Sequence, residues 1–356
     1  MAIKLCNHVS PHSEKMIKPT FPSTVQLNQN QKSQIESAAD ILLKGGVVAF
    51  PTETVYGLGA DATNPDAVRK IYAIKQRPSD HPLILHISDI GQLDYWALDI
   101  PESARVLAKR FWPGPLTLIL KRSRHVPDCV TGGQETVGIR IPAHPVALAL
   151  LKALGPNKAV AAPSANLYGK ISPTSAVHVR TALADEVDMI LDGGACEVGL
   201  ESTIVSFGQK TVTVLRPGGI AVSDIEAALN CPVRLIQKHE PAICVSGTLP
   251  AHYAPSTPLK MLSQAELSEV VLQYVEQGFK ISVITWSGMD LLLPRVSNIR
   301  HILMPPDPIQ YGRQLYAVLH QCDQLGLGYI LMEAPPNKPD WLAISDRLQR
   351  ASHAHL

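Results

Sequence analysis

None of the six cysteines of this chain, Cys6, Cys129, Cys196, Cys231, Cys244 and Cys322, forms a C-x-x-C pair. Neither a zinc knuckle nor a disulfide framework is indicated, and reduced thiols are expected. An excess of one charge is also missing. Lysine plus arginine is 32 and aspartate plus glutamate 31, which argues against a protein that coats nucleic acid through bulk charge. Any anion site must therefore be local. No apolar run is long enough to span a bilayer, and the opening Met-Ala-Ile-Lys-Leu-Cys-Asn-His lacks the apolar core of a secretion signal. A cytoplasmic protein without membrane contact is expected. No Gly-x-Ser-x-Gly elbow and no G-x-x-x-x-G-K-S/T loop occurs, so serine-hydrolase and P-loop chemistry are unsupported. His81 and His86 are five apart across Pro82, which is not the spacing of a helical metal pair, and His353 and His355 fall in a tail expected to fray. No metal held by protein side chains is expected.

What is present is an alternation of strands and helices over 356 residues, a length that suits two domains. Residues 1–30 are polar, without periodicity, and read as a flexible tail. Ile35, Ala38, Ala39, Leu42 and Leu43 mark a helix ended by Gly45-Gly46, and Val47 to Phe50 reads as a buried strand. Asn64 and Pro65 open a second helix, and Pro78 closes it. Further strands are expected near 83–87, 116–120, 137–141, 159–162, 189–191, 203–207 and 212–215. Some of these neighbours are joined by helices and others by short turns, so a twisted mixed sheet flanked by helices should fill residues 31–230. Residues 231–257 read as a linker. Strands at 259–262, 281–285, 301–304 and 329–333, with helices between them, make residues 258–356 a smaller, parallel, Rossmann-like α/β domain. Trp286-Ser287-Gly288-Met289 is no glycine-rich phosphate loop, so dinucleotide binding is not supported there.

The residues that could carry chemistry are cations and hydroxyls. Lys75 and Arg77 stand where the Pro65 helix ends, and on spacing alone the helix dipole accounts for them. Arg140, in Val-Gly-Ile-Arg-Ile-Pro, and Arg216, in Val-Leu-Arg-Pro-Gly, interrupt or end apolar strands, where a guanidinium needs an anion or a route to water. Together these sites suggest a converging anion pocket. Thr52, Thr54, Thr136, Ser164, Ser172, Ser202 and Thr203 flank strands and could bond phosphate or carboxylate oxygens, although turns and caps explain any one of them. Asn166 fits a turn or a cap equally well.

Ordered along the chain, Phe50 to Gly59, Lys75-Gln76-Arg77-Pro78-Ser79-Asp80-His81-Pro82-Leu83, Arg140-Ile141-Pro142, Ala162-Pro163-Ser164-Ala165-Asn166, Glu201-Ser202-Thr203-Ile204-Val205 and Arg216-Pro217-Gly218 closely resemble the YrdC-like domain of the threonylcarbamoyl-AMP synthases. The resemblance spans about Gln34 to Ile220. Ser246-Gly247-Thr248, His252-Tyr253-Ala254-Pro255, Glu333-Ala334-Pro335-Pro336 and Leu342 to Leu348 resemble the linker and C-terminal domain of the two-domain members.

The resemblance implies that ATP, bicarbonate and L-threonine give L-threonylcarbamoyl-adenylate, pyrophosphate and water. The product would pass to a tRNA threonylcarbamoyltransferase that modifies the adenosine beside the anticodon. It implies that Arg77, Thr136, Ser164, Ser172, Arg216, His81 and Tyr253 contact the nucleotide, with Lys75, Arg77, Ser164 and Asn166 at the reacting centre. Thr54, His86, Arg140, Ala162 and Ser202 would hold threonine. His81 stands where the family often has Asn. Magnesium would arrive on ATP, held by phosphate oxygens and water more than by carboxylates. The linker around His252-Tyr253 is expected to act as a lid, and Glu201 to be structural. Two other readings stay open: a module binding tRNA or double-stranded RNA through the basic run Lys121 to His125, and a carbamoyltransferase with another acceptor. Against the latter, the cysteine-rich zinc modules of the hydrogenase-maturation relatives are absent.

Overall fold

The computed structural model describes residues 27–353 except 210, 237–242, 248, 250 and 289–296. The expected tail lies outside the described residues up to residue 26, as do Thr248, Met289 and His355. Among the described residues the first domain holds eleven strands in one mixed sheet. They are β1 (Val48–Phe50), β2 (Gly57–Asp61), β3 (Ile84–His86), β4 (Ala97–Leu98), β5 (Leu116–Arg122), β6 (Thr136–Arg140), β7 (Val160–Ala161), β8 (Met189–Ile190), β9 (Thr203–Phe207), β10 (Val212–Arg216) and β11 (Arg234–Leu235). Their order is β11-β10-β9-β5-β6-β3-β7-β2-β1-β8, with β4 against β5. β3 runs parallel to β6 and β5 parallel to β9, whereas β5–β6 and β9–β10 are antiparallel.

Helices cover both faces because apolar residues recur on one side of each. On one face the helices Gln29–Leu43 and Pro145–Ala153 bury Ile35, Ala38, Leu42, Val146, Leu150 and Leu151 against Val48, Phe50 and Val160. On the other, Pro65–Lys75, Glu102–Phe111, Ala176–Leu183 and Val222–Leu229 contribute Val68, Ile71, Leu107, Val179 and Ile225 to the larger core. The second domain is a parallel sheet ordered β12-β15-β13-β14, from β12 (Leu259–Leu262), β13 (Ile281–Thr285), β14 (Ile299–Leu303) and β15 (Tyr329–Glu333). The helices Gln264–Glu276, Pro308–Leu325 and Leu342–His353 pack on it.

Local chemistry moves several boundaries from those read in the sequence. The first helix begins at Gln29, inside the expected tail, because Asn28 and Gln31 close a reciprocal capping box on its free N–H groups. The second starts at Pro65 under an Asn64 cap and stops at Gln76, which is left-handed at φ 52°. β2 is a strand that glycine-rich sequence hides. β11 lies inside the expected linker, pairing parallel with β10.

The two domains share one apolar cluster. Val55, Ile171 and Leu200 of the first, Tyr253 of the connection, and Leu259, Tyr311, Leu315, Tyr316 and Leu348 of the second are buried together. Gly199 permits the close approach: at φ +75°, a Cβ there would lie 2.6 Å from Arg313 Cα. Through this interface runs an ion pair, Arg347 Nε to Glu201 Oε2 at 2.7 Å, with Arg347 fully buried.

Gly218, just after β10, packs directly on the chain that leads into β9. A Cβ there would sit 2.3 Å from Glu201 O and 2.5 Å from Thr203 N. Gly218→Ala should lower stability by about 1–3 kcal/mol, an ordinary cost of overpacking, and the shift of the denaturant midpoint measures it. An unchanged midpoint would contradict this packing.

Candidate active site

Sheet topology decides where the cations meet. β3 and β6 are parallel with His86 opposite Arg140, so both strands deliver a polar last residue to one edge. β9 begins there too, since Leu116 pairs with Thr203 while β5 runs antiparallel to β6. β10 returns antiparallel to β9 and ends at Arg216, after a register shift between Val214 and Arg216 that turns the guanidinium inward. The loop after β7 brings Ala162, Pro163 and Ser164 to the same place, where Ser164 bridges to Gly57.

These ends line a solvent-open cleft of about 560 Å³. Thr54, Arg77, His86, Arg140, Ala162, Ser164, Ser202, Arg216 and Tyr253 all line it, so most of the residues singled out in the sequence do converge. Arg77 is 8 %, Arg140 4 % and Arg216 3 % exposed. Arg77 Nη2 donates to Pro82 O at 2.9 Å and to Ser246 Oγ at 3.3 Å, and its guanidinium lies 5.5 Å from the Tyr168 ring centre. Arg216 donates to Ser202 O through Nε and Nη2, at 3.2 and 2.8 Å, and to Ser246 O through Nη1 at 2.8 Å. Among the described residues neither has a carboxylate within ion-pair distance. Burial pushes both guanidiniums below their ordinary range, the direction expected of cations stripped of water.

Arg140 differs. Its Nη2 lies 2.5 Å from Glu53 Oε1, Nε donates to Gly114 O at 3.1 Å, and Nη1 donates to Thr54 Oγ1 at 2.9 Å. Thr54 and Thr52 hydroxyls are 2.8 Å apart, and Thr52 donates on to Val55 O at 2.6 Å, so a chain of hydroxyls fixes the loop. Ser202 Oγ lies 2.8 Å from Thr117 Oγ1 and accepts from Arg216 Nη2 at 3.2 Å. The Ser164 hydroxyl has no partner among the described residues. His86 Nδ1 lies 3.2 Å from Ile84 O, and burial, reinforced by Arg140, pulls its imidazole down to about 3, so it is neutral at neutral pH.

Five expected site residues stand outside the cleft wall. Lys75 is fully buried and its ammonium is spent on two backbone carbonyls, Ser164 O at 2.5 Å and Asn166 O. Burial and then Arg77 hold its pKa well below the usual lysine range. The Asn166 amide likewise donates to Leu167 O and Lys170 O, at 2.7 and 2.8 Å. Lys75 and Asn166 therefore shape the Pro163–Asn166 loop instead of facing the space. Ser172 donates to Glu201 Oε1 at 2.6 Å. His81 Nδ1 meets the Tyr168 hydroxyl at 3.0 Å. Thr136 lines an adjoining, mostly apolar recess with Ile119, Ile204, Val245 and Ser246.

Sequence reasoning gave no site role to Glu53, Ser246, Gly247 or Tyr168, although the first three stand in motifs that carry the resemblance. At Gly247, φ +81°, the absent side chain leaves room for the Tyr253 hydroxyl, which a Cβ would approach to 2.0 Å. Glu201 was expected to be structural. It faces the space and ties the domains, accepting from Ser172, from Arg347 and from Tyr316 OH at 3.2 and 3.0 Å. Burial raises its carboxyl, but Arg347 and Arg216 outweigh that and hold it at about 2. Two cations of the basic run are paired, Lys121 with Asp99 and Arg122 with Asp128 and Glu135, while Arg124 is exposed. No group of three or more metal-ligating side chains occurs among the described residues. No described helix is long and apolar enough to cross a membrane.

Residues 40–218 match the Sua5/YciO/YrdC family profile, described as "Telomere recombination", and residues 220–353 match the profile of the threonylcarbamoyl-AMP synthase C-terminal domain. The chain is 41 % identical to the threonylcarbamoyl-AMP synthase of Bacillus subtilis, over 92 % of its own length and 95 % of the relative's. The chain belongs to the threonylcarbamoyl-AMP synthase family. A member from Pyrococcus abyssi is 37 % identical, covering 92 % of this chain and 98 % of that one. The crystal structure of P. abyssi Sua5 complexed with L-threonine superposes with a TM-score of 0.83 at 38 % identity, covering 91 % of this chain and 95 % of that one. The fit extends through both domains and carries the mixed-sheet and parallel-sheet architecture with it.

Three histidines of this family member, His86 and His252 buried and His178 half-buried, give it a pH signature. Burial brings His86 and His252 to about 3 and, with His320 beside it, His178 to about 4. Each lies below the unfolded value of about 6.5, so the unfolded chain binds protons first. Their contribution is complete above pH 6.5 and is lost as the pH falls toward 4 and 3. The thermal midpoint should fall steadily from pH 6.5 to 4.5, with a shallower slope in His178→Gln. A flat profile across that window would contradict the burial.

Proposed function

We infer that the cleft joins ATP to an amino-acid carbamate, producing L-threonylcarbamoyl-adenylate and pyrophosphate for threonylcarbamoyl-adenosine formation in tRNA beside the anticodon. One observation carries the assignment of roles within it. Arg77 and Arg216 are buried, unpaired with carboxylates among the described residues, and both bonded to Ser246, which makes that end of the space a seat for a polyanion. The triphosphate lies there, with the Ser164 hydroxyl available to its oxygens. Threonine lies at the Arg140 end, its carboxylate on the guanidinium and its hydroxyl near Thr54, Ser202 and the neutral His86.

The reaction then requires little covalent help from the protein. The threonine amine and bicarbonate condense to a carbamate with loss of water, a carbamate oxygen attacks the α-phosphorus, and the bond to the bridging oxygen breaks as pyrophosphate leaves with growing negative charge. Arg77 and Arg216 neutralise that charge, while the loop fixed by Lys75 and Asn166 holds the reactants in line. Magnesium belongs to the substrate as the ATP complex. The described residues suit that role, since Glu201, the carboxylate on the cleft wall, is already saturated by Arg347, Tyr316 and Ser172.

Tyr253 closes the space. It is 1 % exposed, takes φ 62°, a strained angle for tyrosine, and stacks on Tyr316 at 5.9 Å between ring centres. Carbamate and mixed anhydride are labile in water, and a lid that excludes it protects both. The test is incubation with ATP, threonine and bicarbonate and mass detection of the adenylate. Arg77→Ala should lower turnover about 10²- to 10³-fold, and Tyr253→Ala should lower it while ATP still binds. Pyrophosphate release independent of threonine and bicarbonate, or full activity in Arg77→Ala, would refute the assignment.

A further inference from the structure

Glu53 has no part in the chemistry so far, yet it is 1 % exposed and sits behind the cleft wall. Its carboxylate contacts Arg140 Nη2, and neither of its oxygens accepts a well-aligned hydrogen bond, so the contact acts through charge more than through directed bonding. Charges around the space divide unevenly. Glu201 is matched by Arg347, and Glu53 by Arg140, while Arg77 and Arg216 have no carboxylate partner among the described residues. The surplus positive charge is thus confined to the Ser246 end, and the Arg140 end is neutral.

We propose that Glu53 is a positioning residue for specificity: by cancelling the charge of Arg140 it reserves that end for an amino acid and rejects phosphoanions. The idea rests on the reading that the cleft joins a triphosphate to threonine. Three bare guanidiniums in one space would let a triphosphate lie in two directions, and would let released pyrophosphate slide onto Arg140 and displace the amino acid. A neutralised guanidinium still offers N–H groups to the singly charged carboxylate of a zwitterion, but attracts a multiply charged anion far less. The fork is also held in one orientation, with Gly114 O on Nε, Thr54 on Nη1 and Glu53 on Nη2.

Threonine binding by titration calorimetry, with and without pyrophosphate, tests this. In the unaltered protein pyrophosphate should compete with ATP and change the threonine Kd by no more than about twofold. In Glu53→Gln, which keeps the shape and drops the charge, pyrophosphate should weaken threonine binding about tenfold or more. Equal threonine affinity with and without pyrophosphate in Glu53→Gln would overturn the proposal. So would displacement of threonine by pyrophosphate in the unaltered protein, a result that decides even if the variant fails to fold. Adenylate formation by the unaltered protein separates the two levels: its absence removes the function itself, whereas its presence with pyrophosphate displacing threonine removes only the role of Glu53.

Discussion

The guanidinium groups of Arg77 and Arg216 are buried around Ser246 with backbone carbonyls and serine oxygens for partners and, among the described residues, no carboxylate, and much of the surrounding structure serves to keep them so. A buried cation without a counter-charge is costly unless water or a ligand reaches it. Carbonyl oxygens of Pro82, Ser202 and Ser246 supply part of the missing solvation and fix the planar groups, so no reorganisation is needed when an anion enters. Glu201, the carboxylate on the cleft wall, is held by Arg347 and by two hydroxyl groups, which keeps it from pairing with Arg216.

That arrangement gives the second domain a physical task. Arg347 and Tyr316 come from its helices, and both reach Glu201 on the cleft wall of the first. Arg347 also donates to Pro217 O, next to Arg216, and its guanidinium lies 5.0 Å from the Tyr253 ring centre. The connection between the domains is therefore gripped from both sides. Gly247 lets it lie against Arg216, and Ala254 N–H bonds back to Gly169 O at 2.9 Å. Cleft, connecting segment and domain interface are one packed unit.

Strand and helix periodicity made the alternating fold legible, and polar residues at strand ends made the site legible. Arg140 and Arg216 stood out because each breaks an apolar run where burial demands a reason. β2 was hidden because Gly57 and Gly59 carry no β-forming side chain; they are glycine because Phe50 and Val160 occupy that volume. Lys75 and Asn166 were placed at the reacting centre by motif, but whether a side chain faces a cleft or a backbone carbonyl depends on loop conformation that spacing does not encode. Glu53 escaped for a related reason. It lies in the loop after β1, and its partner Arg140 ends β6, brought near by sheet order, which a single sequence does not display.

The central claim is that the unpaired guanidiniums constitute the triphosphate seat. Titration of a non-hydrolysable ATP analogue with magnesium into the intact protein and into Arg216→Met, at two salt concentrations, tests it most directly. The account predicts affinity falling about 100-fold or more in the variant, with a weaker salt dependence. Equal affinity and equal salt dependence in the two proteins would contradict it.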